Sequence, residues 1–180
     1  MTPRAPDRIE TARLVLRRPS ADDATAIFAR YANDAEATRY LGWRRHITVD
    51  DTKMFLAFSE AEWARWPAGP YIVESREDGV LLGSTGLAFE SFESAMTGYV
   101  FARDAWGRGY ATEALSAIVP LAPELRIHRL YAICHTEHRA SARVLEKCGF
   151  AREGVLPRHT VFPNLMPGKA ADVFCYSRHF

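Results

Sequence analysis

Apolar and polar positions divide the chain into short strands and helices. Arg13-Leu14-Val15-Leu16-Arg17 alternates with the period of two expected of a half-buried strand; it reads as an edge strand, ended by Pro19. Ala24, Ile27, Phe28 and Tyr31 recur at i, i+3, i+4 and i+7, which predicts a helix of about three turns. Ser20, with Asp23 three residues on, supplies its start, a capping box with Asp in place of Glu or Gln. Thr48 and Asp51 repeat that signal. Met54, Phe55, Phe58 and Ala61 then predict an apolar stripe running toward Trp63 and Trp66, stopped by Pro67, Gly69 and Pro70.

The middle of the chain changes period. Tyr71–Glu74, Val80–Phe89 and Thr97–Ala102 are strand-like runs separated by turns at Glu77-Asp78-Gly79 and near Glu93-Ser94, which predicts an antiparallel meander. Ala111–Val119 is helical until Pro120 and Pro123 kink or end it, and His128–Cys134 is a strand of branched and aromatic residues. Arg139–Cys148 is the clearest helix: Ala140, Val144, Leu145 and Cys148 share a face, Gly149 is placed as a left-handed cap, and Phe150 follows. Asp172–Phe180 predicts a terminal strand. Strands and helices alternate between flanking antiparallel pairs, so the expected class is α/β (α+β), with a mixed, mostly antiparallel central sheet and helices on both faces. No repeat, low-complexity tract or linker interrupts the chain, and one domain over residues 1–180 is expected.

Composition narrows the function. At 180 residues and 48% hydrophobic, the chain can bury roughly 70% of its unfolded surface in one core. Its 23 basic and 22 acidic side chains leave +1, which argues against a polybasic nucleic-acid binder and an acidic disordered tail. The charge is uneven: residues 1–100 carry −3, residues 101–150 carry +2, and residues 151–180 carry +2. Cys134, Cys148 and Cys175 sit among apolar neighbours and read as buried free thiols of a reducing compartment. Met1–Arg13 is polar and proline-containing, and no segment approaches the ~20 apolar residues of a membrane span. A cytoplasmic protein with no membrane or nucleic-acid partner is expected.

Candidate chemistry concentrates in Trp106-Gly107-Arg108-Gly109-Tyr110-Ala111-Thr112-Glu113-Ala114, between a strand and a helix. Two glycines and a small alanine let the backbone approach a ligand, and the free amides and dipole of a helix start favour phosphate. A dinucleotide fingerprint would need glycine at Thr112, and the Gly-Lys-Ser/Thr of a P-loop occurs nowhere. His128, His135 and His138 have no carboxylate or cysteine at zinc-ligand spacing, so no metal is expected.

Gly98-Tyr99, the 106–114 run, Ser141 and Leu145-Glu146-Lys147-Cys148-Gly149-Phe150, in that order of strands and helices, resemble the GNAT N-acyltransferase superfamily. Together with Arg13–Arg17 and Asp172–Ser177, they are similar to the branch that includes ribosomal-protein N-terminal acetyltransferases. The resemblance covers nearly the whole chain.

The resemblance implies a V-shaped splay between two strands and acetyl-CoA as co-substrate, without a metal. Amides of Gly107, Arg108, Gly109, Tyr110, Ala111 and Thr112 would hold the pyrophosphate, and backbone groups of Val100, Phe101 and Ala102 would pair with the pantetheine arm. Arg143 and Lys147 would meet the adenosine 3′-phosphate. Two positions depart from the family: Trp106 stands three residues before the central glycine where glutamine or arginine is usual, and His138 replaces an asparagine that contacts pantetheine. Imidazole can still donate one hydrogen bond there.

The implied reaction is direct acetyl transfer to a primary amine. A strand amide near Phe101 would stabilise the oxyanion, and Ser141, or secondarily Tyr176, would protonate the departing thiolate. Glu90 and Glu93, near the end of a central strand, are the candidate bases. A neutral α-amine of pKa about 8 costs about 1.4 kcal/mol at pH 7, against about 4.6 for a lysine, so a protein N-terminal α-amine is the favoured acceptor. Amino acids, polyamines and antibiotics are alternative acceptors, and a homodimer is compatible with the family. A non-catalytic acyl-CoA-binding or sensor module and an unrelated interaction domain are the readings from other classes. Trp43, Trp63, Trp66, Phe55 and Phe58 are candidates for core or for an acceptor box. The basic 101–150 segment would coincide with the anionic co-substrate, and the acidic half with the acceptor wall.

Overall fold

Helix starts follow the local signals. The computed structural model describes residues 3–180; Met1 and Thr2, where the polar amino-terminal stretch begins, lie outside the described residues. The Asp23 carboxylate accepts the Ser20 N–H at 2.7 Å, opening an irregular helix: a 3-10 turn Ala21–Asp23, α1 (Ala24–Ile27) and a π turn Phe28–Ala32. The Asp51 carboxylate accepts the N–H groups of Thr48 and Ile47, each at 2.9 Å, at the start of α2 (Val49–Arg65). The face α2 buries differs from the expected stripe: Thr52, Leu56, Ser59 and Trp63 are buried, while Met54 and Phe58 are exposed. Trp63 decides the rotation. It is the largest fully buried side chain, meets Tyr71 edge-on at 5.0 Å and donates its indole N–H to the Pro70 carbonyl at 2.7 Å.

Eight strands form one sheet in the order β1-β2-β3-β4-β5-β6-β8-β7. β1 (Arg8–Glu10) pairs with β2 (Leu14–Arg17), so the 13–17 run is not the edge. β3 (Pro70–Ser75), β4 (Leu81–Phe89) and β5 (Ser94–Phe101) form the expected meander. α3 (Tyr110–Ile118) and a one-turn α4 (Leu121–Glu124) lead to β6 (Arg129–His135) and α5 (Arg139–Lys147). β7 (Ala151–Val161) and β8 (Ala170–His179) close the chain. β7 had no signature in the pattern because it is largely exposed and its pairing with β8 shifts register twice.

All pairs are antiparallel except β5 with β6, which holds only from Ser94–Met96 against Arg129–Tyr131. β6 pairs with β8 along its whole length and β5 pairs with β4, so past Met96 the two strands separate. That separation is the splay. One core joins α3, α4 and α5 to the sheet, and the other joins α1 and α2 to Ile72, Leu81 and Val100, so helices cover both faces. At the end of α5, Phe150 N–H bonds the Leu145 carbonyl and Gly149 N–H the Glu146 carbonyl, each at 3.1 Å, with Gly149 at φ +80°: a Schellman cap. Among the described residues, no helix is long and apolar enough to cross a membrane.

Candidate active site

Gly107 and Gly109 turn the chain after β5 at φ +72° and +80°, backbone that a Cβ disfavours. Gly109 is the N-cap of α3, whose first bond runs from Glu113 N–H to the Gly109 carbonyl at 3.0 Å. The amides of Tyr110, Ala111 and Thr112 therefore lack an acceptor four residues back and stand at the positive end of the helix. Arg13 on the neighbouring segment braces the turn: its guanidinium donates to the Glu113 carboxylate at 2.7 Å and to the Arg108 carbonyl at 3.0 Å. Burial raises the Glu113 carboxyl, but donors from Thr11 and Arg13 outweigh it and hold it below the ordinary carboxylate value.

The splay opens into a cavity of about 980 Å³ bounded by this turn, β5, β6, α5 and the loop between α1 and α2. The turn contributes Gly107, Gly109, Tyr110, Ala111 and Thr112; β5 contributes Val100 and Phe101; α5 and its cap contribute His138, Ser141, Arg143 and Lys147. Two of the residues expected to hold the co-substrate fall outside the lining. Ala102 spends its amide on the Leu82 carbonyl at 2.8 Å and is buried in the other core, while the Arg108 guanidinium lies over the Tyr110 ring. Unpaired helix-start amides and two cations fit a ligand that carries phosphates at this end. Among the described residues, no group of three or more His, Cys, Asp or Glu side chains could hold a metal ion.

Deeper in the cavity Ser141 meets a residue given no chemical role by the sequence. The Tyr99 hydroxyl lies 2.9 Å from the Ser141 Oγ and donates to the Ser141 carbonyl at 3.0 Å. Burial holds the Tyr99 phenol well above its ordinary value, so it is a proton carrier throughout the neutral range. Cys134 also lines the cavity, its thiol pushed by burial up to about 11. The other expected acid and bases stand elsewhere. Tyr176 is fully buried with its hydroxyl donating to Glu146 at 2.8 Å; Glu90 accepts the Tyr131 hydroxyl at the end of β4, and Glu93 sits in the exposed turn before β5. None of the three lines the cavity. β4 and β5 line the cavity, but Glu90 and Glu93 sit in the turn between them, and β8, which carries Tyr176, contributes no lining residue.

The opposite mouth is aromatic. Tyr40, Trp43, Phe55 and Phe162 line it, with Thr160 from β7. Trp43 is 37% exposed there, whereas Trp63 belongs to the core, and Trp66 stacks on Phe89 outside the cavity. Tyr40 stacks on His138 at 4.6 Å and 24°, joining the α1–α2 loop to the cap of α5. The charged side chains of this mouth are Glu36 and Arg39, one of each sign, so the acidic balance of residues 1–100 is not concentrated on the lining. Arg143 and Lys147 leave the cavity as a whole positive.

Residues 13–151 match the family described as acetyltransferase (GNAT) domain. The chain is 34% identical to the N-acetyltransferase YoaA of Bacillus subtilis (strain 168) over 167 residues, covering 88% of this chain and 90% of YoaA. It is also similar to the crystal structure of a GNAT-family acetyltransferase from Bacillus anthracis, with TM-score 0.82, 25% identity and coverage of 96% of this chain and 98% of that one. RimL, the ribosomal L7/L12 alpha-N-protein acetyltransferase solved with coenzyme A, shares the fold at TM-score 0.85 and 19% identity, over 96% of this chain and 98% of that one.

Proposed function

The chain belongs to the GNAT acetyltransferase family, and from that premise we propose that it moves the acetyl group of acetyl-CoA directly to a primary amine, with a protein N-terminal α-amine as the favoured acceptor. The observation that carries this reading is one continuous cavity from the bare amides at the start of α3, along the unpaired edge of β5, to the Ser141–Tyr99 pair. RimL, a fold neighbour, carries coenzyme A and acts on a protein α-amine.

Each wall has a part in the transfer. Amides of the 107–112 turn, with Arg143 and Lys147 at the same end, bind the phosphates of the co-substrate. The open edge of β5 offers backbone groups to the pantetheine arm as a neighbouring strand would, and an amide there stabilises the carbonyl oxygen as it gains charge. The amine enters through the aromatic mouth and attacks the carbonyl carbon; the C–N bond forms, the C–S bond breaks, and the thiolate takes a proton from the Ser141 hydroxyl, which Tyr99 holds in place and solvent reprotonates. No enzyme nucleophile is needed, and a thiol held up at about 11 is a poor one. The modest cost of deprotonating an α-amine suits a cavity whose lining has a single carboxylate, at the rim.

The test is CoA-thiol release over a panel of peptides with different N-terminal residues, spermidine and free amino acids, alongside calorimetry with acetyl-CoA. Peptide turnover with acetylation at the α-amine is expected. Turnover of spermidine alone would replace the acceptor class, and acetyl-CoA binding with no turnover on any amine would favour a sensor module.

A further inference from the structure

We infer that His138 is the general base of the reaction, taking the proton that the acceptor nitrogen loses as it attacks; this rests on the acetyl-transfer reading above. Direct transfer needs a proton acceptor where the amine meets the thioester. Of the carboxylates considered, Glu90 and Glu93 lie outside the cavity. Glu36, the one carboxylate in the lining, is half-exposed at the mouth, 3.9 Å from the Arg39 guanidinium. Cys134 and Tyr99 are held protonated by burial. Among the lining groups, that leaves the imidazole of His138.

Its position matches the task. His138 is the N-cap residue of α5, three residues before Ser141, and both residues line the cavity. Tyr40 stacks on the ring from the opposite wall, which places the imidazole where the acceptor mouth meets the co-substrate channel. Among the described residues, neither ring nitrogen has a hydrogen-bond partner, although the residue is half-buried. His135, by contrast, is buried, and its Nδ1 accepts the Glu137 N–H at 3.1 Å.

The surroundings keep the ring in its base form. Burial, and then the neighbouring His135, lower the His138 imidazole below its ordinary value. The charged and titratable groups around it are Glu137 and Arg139 on either side in the chain, His135 on β6, Tyr40, Arg39 and Glu36 on the α1–α2 loop, and Arg143 on α5; burial and His135 set the direction of the shift. A neutral imidazole cannot strip a free lysine ammonium efficiently, but it can accept the proton of a nitrogen made cationic by C–N bond formation. The proton passes from that nitrogen to His138, another passes from Ser141 to the departing thiolate, and exchange with solvent restores both residues, so one amine and one thioester give one amide and one thiol.

The experiment compares wild type, His138→Gln and His138→Asn by calorimetry with acetyl-CoA and by the pH dependence of kcat. Its acceptor is the fastest of a serine-initiated pentapeptide, spermidine and glycinamide. The expected result is a kcat loss of about 10²-fold or more in both variants with acetyl-CoA affinity within a factor of a few, and disappearance of the acidic limb of the wild-type profile. Retention of that limb and of kcat overturns the inference. Loss of acetyl-CoA affinity in step with rate also overturns it, making His138 a pantetheine contact. Acetyl-CoA binding without wild-type turnover on any of the three removes the transfer reading itself. An NMR titration of the His138 ring needs no acceptor: titration below the ordinary value of about 6.5 supports the assignment, and titration at or above it overturns it.

Discussion

The Tyr99 hydroxyl on β5 donates to the Ser141 carbonyl on α5 at 3.0 Å and lies 2.9 Å from the Ser141 Oγ, so the two sides of the splay meet in one hydrogen-bonded pair. With the single phenolic proton on the carbonyl, the serine hydroxyl is the donor of the 2.9 Å contact, and it turns from Tyr99 into the cavity to give that proton to a partner there. Ser141→Ala should lower kcat by about 10²-fold with acetyl-CoA affinity changed by a factor of a few at most. Tyr99→Phe should lower it less, because the serine remains. Steady-state thiol release with parallel calorimetry measures both, and an unchanged kcat in Ser141→Ala would remove the serine from the proton path.

Gly109 holds φ +80° at the cap of α3, and a Cβ there would meet only the Arg13 Nη2 at 3.5 Å, an ordinary contact. The cost of Gly109→Ala is therefore conformational, about 1 kcal/mol in urea unfolding. Gly109→Trp adds bulk in front of the open amides and should abolish the heat of acetyl-CoA binding while leaving the protein folded by circular dichroism.

Cys134 lines the cavity with its thiol raised to about 11 by burial, against a weaker opposing hydrogen bond with Ser141. Cys134→Ser should retain turnover within a factor of a few, and mass spectrometry after mixing with acetyl-CoA alone should find no acetylated protein. Detection of an acetyl-cysteine that turns over with amine would instead establish a two-step reaction.

Trp43 stands at the aromatic mouth, 37% exposed, away from the phosphate turn. Trp43→Ala should raise KM for the acceptor by roughly tenfold, the worth of a partly buried aromatic contact, without changing acetyl-CoA affinity.

Glu153 on β7 receives Arg129 at 2.7 Å and the Ser177 hydroxyl at 2.6 Å, which together bring its carboxyl down to about 2. A carboxylate lowered by folding stabilises the native state above its unfolded value of about 4.3, and that contribution is lost as pH falls toward 2. Wild type should therefore exceed Glu153→Gln in urea midpoint at pH 7, and the gap should close between about pH 4 and 2. The Arg129 and Glu153 side chains are 34% and 38% exposed, so added salt should narrow the gap as well.

How much of the site was legible depends on the reach of each signal. The turn at 106–112 was readable because glycine φ and helix-start amides are properties of adjacent residues. The caps at Ser20, Thr48 and Gly149 join residues three to five positions apart. The mouth was not readable: Tyr40 carries no mark in its own segment that it will stack on His138. Tyr99 was visible as part of a strand motif, yet its bond to Ser141 spans 42 positions.

The amino-acid pattern by itself determined the capped helix starts, the meander and the glycine turn before α3, since each follows from backbone preferences and short-range hydrogen bonds. Only the tertiary structure decided which side chains share the cavity. Trp63 turned α2 until Phe58 faced solvent, β7 became a strand by pairing with β8, and the turns after β4 carried Glu90 and Glu93 away from the lining. The physical reason is common to all three: orientation is set by packing and pairing between distant segments, and such contacts leave no period in either partner.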